Sequence, residues 1–139
     1  MKISYGKNVY GREEINAVLS KLKKTTHMGE AVKRFENKIA KIFAKKYGLM
    51  VNSGSSALTL AMDVLGFKKG DEIITPCLNF GTAVSSIVLS GAKPIFVDVE
   101  IDTLQIDIKN IKKKITKKTK GIVVVNTPRF YGTICLESC

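Results

Sequence analysis

Val51-Asn52-Ser53-Gly54-Ser55-Ser56-Ala57-Leu58 carries more of the fold than any other stretch of this chain. It reads as the end of a strand, a tight loop of small residues and the start of a helix. Such a junction gathers free backbone N–H groups, the positive end of a helix dipole and several hydroxyls at one point, which is the chemistry of a phosphate cradle. An ordinary strand–loop–helix turn with a Ser N-cap fits the same residues. From these residues alone both readings stand.

Working outward, helices and strands alternate. Ile15, Val18, Leu19 and Leu22 mark a helix over 12–23, with Glu13 and Glu14 in its first turn and lysines in its last, matching the dipole. Val32, Phe35, Ile39 and Ile42 mark a second over 30–46, closed by Gly48. Leu49-Met50-Val51 reads as a short strand. A helix over 56–66 ends at Gly66, and a strand over 72–75 stops at Pro76. Residues 80–90 read as a helix, 94–99 as a strand, 108–115 as a helix capped by Asp107, and 121–125 as a strand. The apolar runs of these strands are continuous rather than alternating, as expected when both faces of a sheet are covered. The expected fold is therefore α/β: a three-layer α/β/α sandwich with a mostly parallel sheet. In such sheets ligands bind beyond the carboxyl ends of the strands. Asn52-Ser53-Gly54-Ser55 and Cys77-Leu78-Asn79-Phe80 both occupy such ends and are expected on one edge.

Composition excludes several classes. At 139 residues this is one domain or part of one. No run of about 18 apolar residues exists, so no membrane span is expected. The start lacks the apolar core of a secretory signal, which makes cytoplasmic the default location. Cys77, Cys135 and Cys139 show no CxxC spacing and imply neither a disulfide framework nor a metal site. His27 reads as a surface or loop residue. The formal net charge of +11 raises nucleic acid as a partner. The densest lysine stretch, 109–120, alternates with Ile111 and Ile115 and holds no aromatic residue, so it reads as a solvated helix face. Neither nucleic acid nor membrane is expected as a partner. A basic surface still favours anionic substrates at long range.

Neither GxxxxGK[ST] nor GxGxxG occurs, so the two standard nucleotide loops are missing. The second strand end presents Phe80 between Asn79 and Gly81-Thr82. An aromatic ring there can stack on a flat heteroaromatic ring. Spacing alone favours the plainer reading, in which Phe80 packs into the core.

Six motifs follow one another in order: Leu49 to Leu58, Gly70-Asp71-Glu72-Ile73-Ile74-Thr75-Pro76, Asn79-Phe80-Gly81-Thr82, Gly91 to Val99, Asp102 to Asp107, and Ile115 to Ile122. Together with Met28-Gly29-Glu30 and Phe35-Glu36, they resemble the N-terminal part of the DegT/StrS family of pyridoxal-phosphate-dependent sugar aminotransferases. The resemblance runs from about residue 5 to about residue 126. It implies that residues 1–139 form an incomplete N-terminal part of a fold-type I aminotransferase large domain. It implies pyridoxal 5'-phosphate as cofactor, its phosphate held by Gly54, Ser55 and Ser56, its ring stacked on Phe80. The implied reaction moves an amino group from an amino acid, commonly glutamate, to a keto group of a nucleotide-linked sugar in polysaccharide or deoxysugar biosynthesis. The implied assembly is a homodimer. The family's further needs, an Asp for the ring nitrogen and a Lys that joins the cofactor, match no position here and are expected downstream of Cys139. No catalytic residue and no metal ligand is therefore assigned, and the chain alone is expected to be inactive.

Two other readings accompany this one. A nucleotide-sugar 3-dehydratase relative uses the same cofactor and replaces that Lys by His. A non-catalytic remnant is the third reading. Residues 127–139 depart from the family's pattern and read as the tail of a truncated or frameshifted product.

Overall fold

The computed structural model describes residues 8–24, 26–27 and 29–125. The expected tail, 127–139, lies outside them. The chain divides into two compact units, Met1–Met50 and Val51–Cys139.

The first unit holds helices α1 (Arg12–Lys24) and α2 (Glu30–Ile42). Glu14, in the first turn of α1, reaches back 2.7 Å to accept the Gly11 N–H, the reciprocal half of a capping box. That amide holds the Glu14 carboxyl below its ordinary value. Helix α2 ends four residues earlier than the apolar spacing predicts. Ala44 takes the left-handed conformation at φ 50°, its N–H donates to the Lys41 carbonyl, and Lys45 N–H donates to Ala40. This is a Schellman ending with Ala in the place Gly usually fills. Gly48 has a different task from the expected one: a Cβ there would meet the Glu36 carbonyl oxygen at 2.7 Å, so it allows close backbone approach. The expected strand at 49–51 is irregular, and Leu49 is 73% exposed. A strand exists through its ladder, and no ladder forms along these residues.

The second unit is a parallel sheet with helices on both faces. It contains α3 (Gly54–Leu65), β1 (Glu72–Pro76), α4 (Gly81–Leu89), β2 (Lys93–Val97), α5 (Ile108–Lys114) and β3 (Thr119–Ile122). The strand order is β2-β1-β3, with β1 parallel to both neighbours. Adjacent residues of β1 point to opposite faces. Ile73 packs with Met62 of α3, Ile87 of α4 and Ala92, whereas Ile74 packs with Val97 and Ile106, covered by Ile111 of α5. The chain steps from β1 to β2 in one direction and from β2 across to β3 in the other. Right-handed crossovers therefore place α4 and α5 on opposite faces. The three-layer α/β/α arrangement read from the sequence is thus the arrangement of this unit.

The carboxyl end of β1 is set by one residue. Val123 N–H donates to the Ile74 carbonyl at 2.8 Å, which places Val123 opposite Thr75. The next rung would need an N–H from Pro76, which has none, so the ladder between β1 and β3 ends there. On the β2 side the ladder continues, with Cys77 N–H donating to Val97. Helix α3 ends where expected: Gly66 is left-handed at φ 65° and its N–H reaches the Met62 and Asp63 carbonyls.

Candidate anion and ring site at the carboxyl edge

Helices α3 and α4 run side by side, and each leads through a short turn into a parallel strand. Their N-termini therefore lie at the same end of the sheet, beyond the carboxyl end of β1. Thr59 and Ser86, each the sixth residue of its helix, bring their hydroxyls to 3.5 Å, so the two starts are level. Gly54, Ser55 and Phe80 consequently share one edge, as the strand ends predict.

Helix α3 begins at Gly54, two residues earlier than the apolar spacing predicts. Gly54, Ser55 and Ser56 are thus the first helical turn rather than a loop. Ser53 is the N-cap, and its hydroxyl accepts the Ser56 N–H at 3.1 Å. The Ser56 hydroxyl donates to Asn52 Oδ1 at 2.6 Å and stands 3.0 Å from Ser53 Oγ. Both donors of Ser56 are therefore engaged. The amides of Gly54 and Ser55 take no protein acceptor among the described residues, and the Ser55 hydroxyl is free of protein partners there. No acidic residue sits in this turn. A Cβ added at Gly54 would find nothing within 4 Å, so the space beside these amides is open. The arrangement can accept an anion with two aligned N–H groups, one hydroxyl and the positive end of a helix dipole. The cap reading is realised in Ser53, and the neighbouring amides stay available, as a cradle would require.

Phe80 is not a core residue. It is the N-cap of α4 and 77% exposed, which overturns the packing favoured by spacing alone. Its backbone is tied down. Its N–H donates to Asn79 Oδ1 at 2.7 Å, and Asn79 Nδ2 donates at 3.0 Å to Thr75 Oγ1, a fully buried group on β1. A hydrogen-bonded loop thus presents an exposed ring. Asn79, Thr75 and Asn52 are the positioning residues that the sequence reading passed over. An Asn directly before a helix start, able to bond its own backbone, is the signal that marks Asn79. Among the described residues no cluster of His, Cys, Asp and Glu fit for a metal ion occurs, and no helix is long and apolar enough to cross a membrane.

Three similarities bear on this geometry. The chain is 38% identical over 107 residues to a GDP-perosamine synthase from Vibrio cholerae, covering 77% of this chain and 28% of that protein. It is 44% identical over 105 residues to a GDP-4-keto-6-deoxy-D-mannose 3-dehydratase from Escherichia coli O55:H7, covering 71% and 27%. Among solved structures, a GDP-4-keto-6-deoxymannose-3-dehydratase with a trapped PLP-glutamate geminal diamine superposes with a TM-score of 0.84. That match is 38% identical over 90% of this chain and 34% of the other. The chain thus spans about 28% of the length of the first of these relatives. Residues 9–137 match the DegT/DnrJ/EryC1/StrS aminotransferase family, and the chain belongs to it.

Proposed function

We propose that the first turn of α3 holds the phosphate of pyridoxal 5'-phosphate and that the Phe80 ring lies against its pyridine ring. The carrying observation is the pair of unpartnered amides at Gly54 and Ser55, at a helix end with no acid in its first turn. The residues fit the group: the amides and the Ser55 hydroxyl suit phosphate oxygens, and the open space at Gly54 admits them. Ser56 completes the assigned set by bracing the turn through Ser53 and Asn52. Phe80 supplies an exposed flat face on a fixed backbone. When bound, the cofactor supplies an electron sink for the amino-acid carbon. The tasks of this chain are to anchor the phosphate and to orient the ring.

On this reading the protein is part of an aminotransferase that moves an amino group, from glutamate by resemblance, onto a keto group of a nucleotide-linked sugar in polysaccharide or deoxysugar biosynthesis. It works in the cytoplasm as a homodimer. A second reading, a nucleotide-sugar 3-dehydratase, is supported by the 44% identity to that enzyme. Both readings use the same phosphate and ring site. Mass spectrometry of the sugar product separates them, since one adds an amino group and the other removes a hydroxyl.

The site itself is tested by following the backbone amide resonances of Gly54 and Ser55 in titrations with pyridoxal 5'-phosphate, inorganic phosphate and pyridoxal. The two phosphate-bearing probes are expected to shift both amides, and pyridoxal to leave them in place. Equal shifts with pyridoxal and its phosphate would overturn the assignment.

A further inference from the structure

The opposite, amino edge of the sheet gathers charge that the sequence scatters. Lys68 and Lys69 lie in the turn before β1, and Lys93 opens β2. Glu72 registers with Lys93 on one side and with Thr119 on the other, so these starts are side by side. The Lys69 N atom lies 3.8 Å from the Cβ position of Gly91, which joins the turns before β1 and β2. Lys117 and Lys118 precede β3, and the Lys118 carbonyl accepts the Glu72 N–H at 2.8 Å. The last turn of α5 adds Lys112, Lys113 and Lys114 at the same end.

All of these lysines are exposed, and no acidic side chain pairs with them among the described residues. Two acids lie nearby and offset only part of this charge; each is turned to a neutral donor rather than a lysine ammonium, Glu72 Oε2 accepting from the Thr116 hydroxyl and Asp71 Oδ2 from the Lys68 backbone N–H. Compensation of the helix dipole explains the last turn of α5. It does not explain Lys68, Lys69, Lys93, Lys117 and Lys118, which lie outside helices, or the absence of basic residues in the last turns of α3 and α4.

Each helix that ends at this edge also leaves an apolar residue in water. Leu65 closes α3, Leu89 closes α4 and Ile115 follows α5; they are 65%, 75% and 51% exposed. We propose that this edge docks on an anionic lipid surface, with the lysines facing headgroups and the three apolar side chains entering the interface. Lysine stems suit that depth because they keep their charge in water while covering apolar surface. The lack of an apolar span bears on crossing a bilayer, not on resting against one. Nucleic acid fits less well: among the described residues the edge has no Arg fork for bases or phosphates, and the aromatic found there, Phe67, packs against the core instead of offering a face for stacking. The inference does not depend on the cofactor reading.

The test is flotation of the 139-residue chain with vesicles of phosphatidylglycerol and phosphatidylcholine, against phosphatidylcholine alone. Binding is expected only to the anionic vesicles and is expected to fall as salt rises. Replacing Lys112, Lys114, Lys117 and Lys118 together by Gln should reduce it about tenfold or more. Replacing Lys21, Lys23, Lys24 and Lys41 by Gln removes the same charge from the first unit and should leave most of the binding. If circular dichroism shows that the first variant has lost its helices, Lys68→Gln with Lys69→Gln and Lys93→Gln probes the same edge from other segments. Equal losses in the edge and control variants, equal binding to neutral vesicles, or tighter binding to duplex DNA at the same salt would each overturn the proposal.

Discussion

The starts of α3 and α5 are built on one plan and differ in one group. Ser53 caps α3 with a neutral hydroxyl that accepts a single amide, Ser56 N–H. Asp107 caps α5 with a carboxylate that accepts Lys109 N–H at 2.8 Å, Asn110 N–H at 3.2 Å and the Asn110 side chain at 2.6 Å. The α5 end is largely satisfied: the Lys109, Asn110 and Ile111 amides all have acceptors on Asp107, and the dipole faces a negative charge. The α3 end is neutral and keeps two amides in reserve. A helix start is structural when its cap brings its own anion. It is able to receive a ligand when the cap secures the turn and leaves the charge unanswered.

The largest expected effect comes from making α3 resemble α5. Ser53→Asp keeps a capping oxygen, so the thermal midpoint should hold or rise. Pyridoxal 5'-phosphate should bind about a hundredfold more weakly, since like charges a few ångströms apart at a partly exposed site repel by about 3 kcal/mol. Titration of the Gly54 and Ser55 resonances reads the affinity, and an unchanged value would disconnect α3 from the phosphate. The converse change, Asp107→Ala, should cost about 1 kcal/mol of stability. It should lower the urea midpoint and leave cofactor affinity alone.

Phe80→Ala sharpens the comparison by separating ring from phosphate. Cofactor affinity should fall severalfold, for a stacking contribution of about 1 kcal/mol. Binding of inorganic phosphate should not change, and neither should stability, because the ring is already exposed. Loss of phosphate affinity in this variant would mean that Phe80 acts through the fold.

The smallest effect belongs to a third helix start. The Gly11 amide lowers the Glu14 carboxyl below its ordinary value of 4.5. A carboxyl lowered in the folded state stabilises above its unfolded value, and that contribution disappears as pH falls through the lowered one. Protection of the Gly11 amide from hydrogen exchange should follow that titration. Glu14→Gln should remove the pH dependence, with little change in global stability.

Much of this was legible in the linear chain because it depends on near neighbours. The turn chemistry of Gly66, the Asp107 cap and the continuous apolar runs of Ile73-Ile74 and Ile95-Phe96-Val97 all announce themselves locally. The failures have a common cause. Leu49-Met50-Val51 has the composition of a strand, but a strand needs a partner, and composition does not supply one. Pro76 reads as a stop, yet it ends only the ladder toward which its missing N–H would have pointed. Gly48 reads as a helix end because its close approach to Glu36, twelve residues back, is invisible along the chain.

The sequence alone determined the alternation of helices with doubly covered strands, and it placed small and hydroxylic residues where a helix would begin. These follow from local torsions and from the burial that each apolar run demands. Only the tertiary structure decided which amides of that turn remain unpaired, that Phe80 faces solvent, and that lysines from three separate segments meet at one edge. Those outcomes depend on register and on the level at which neighbouring helices start, and register is set by contacts between residues far apart in the chain.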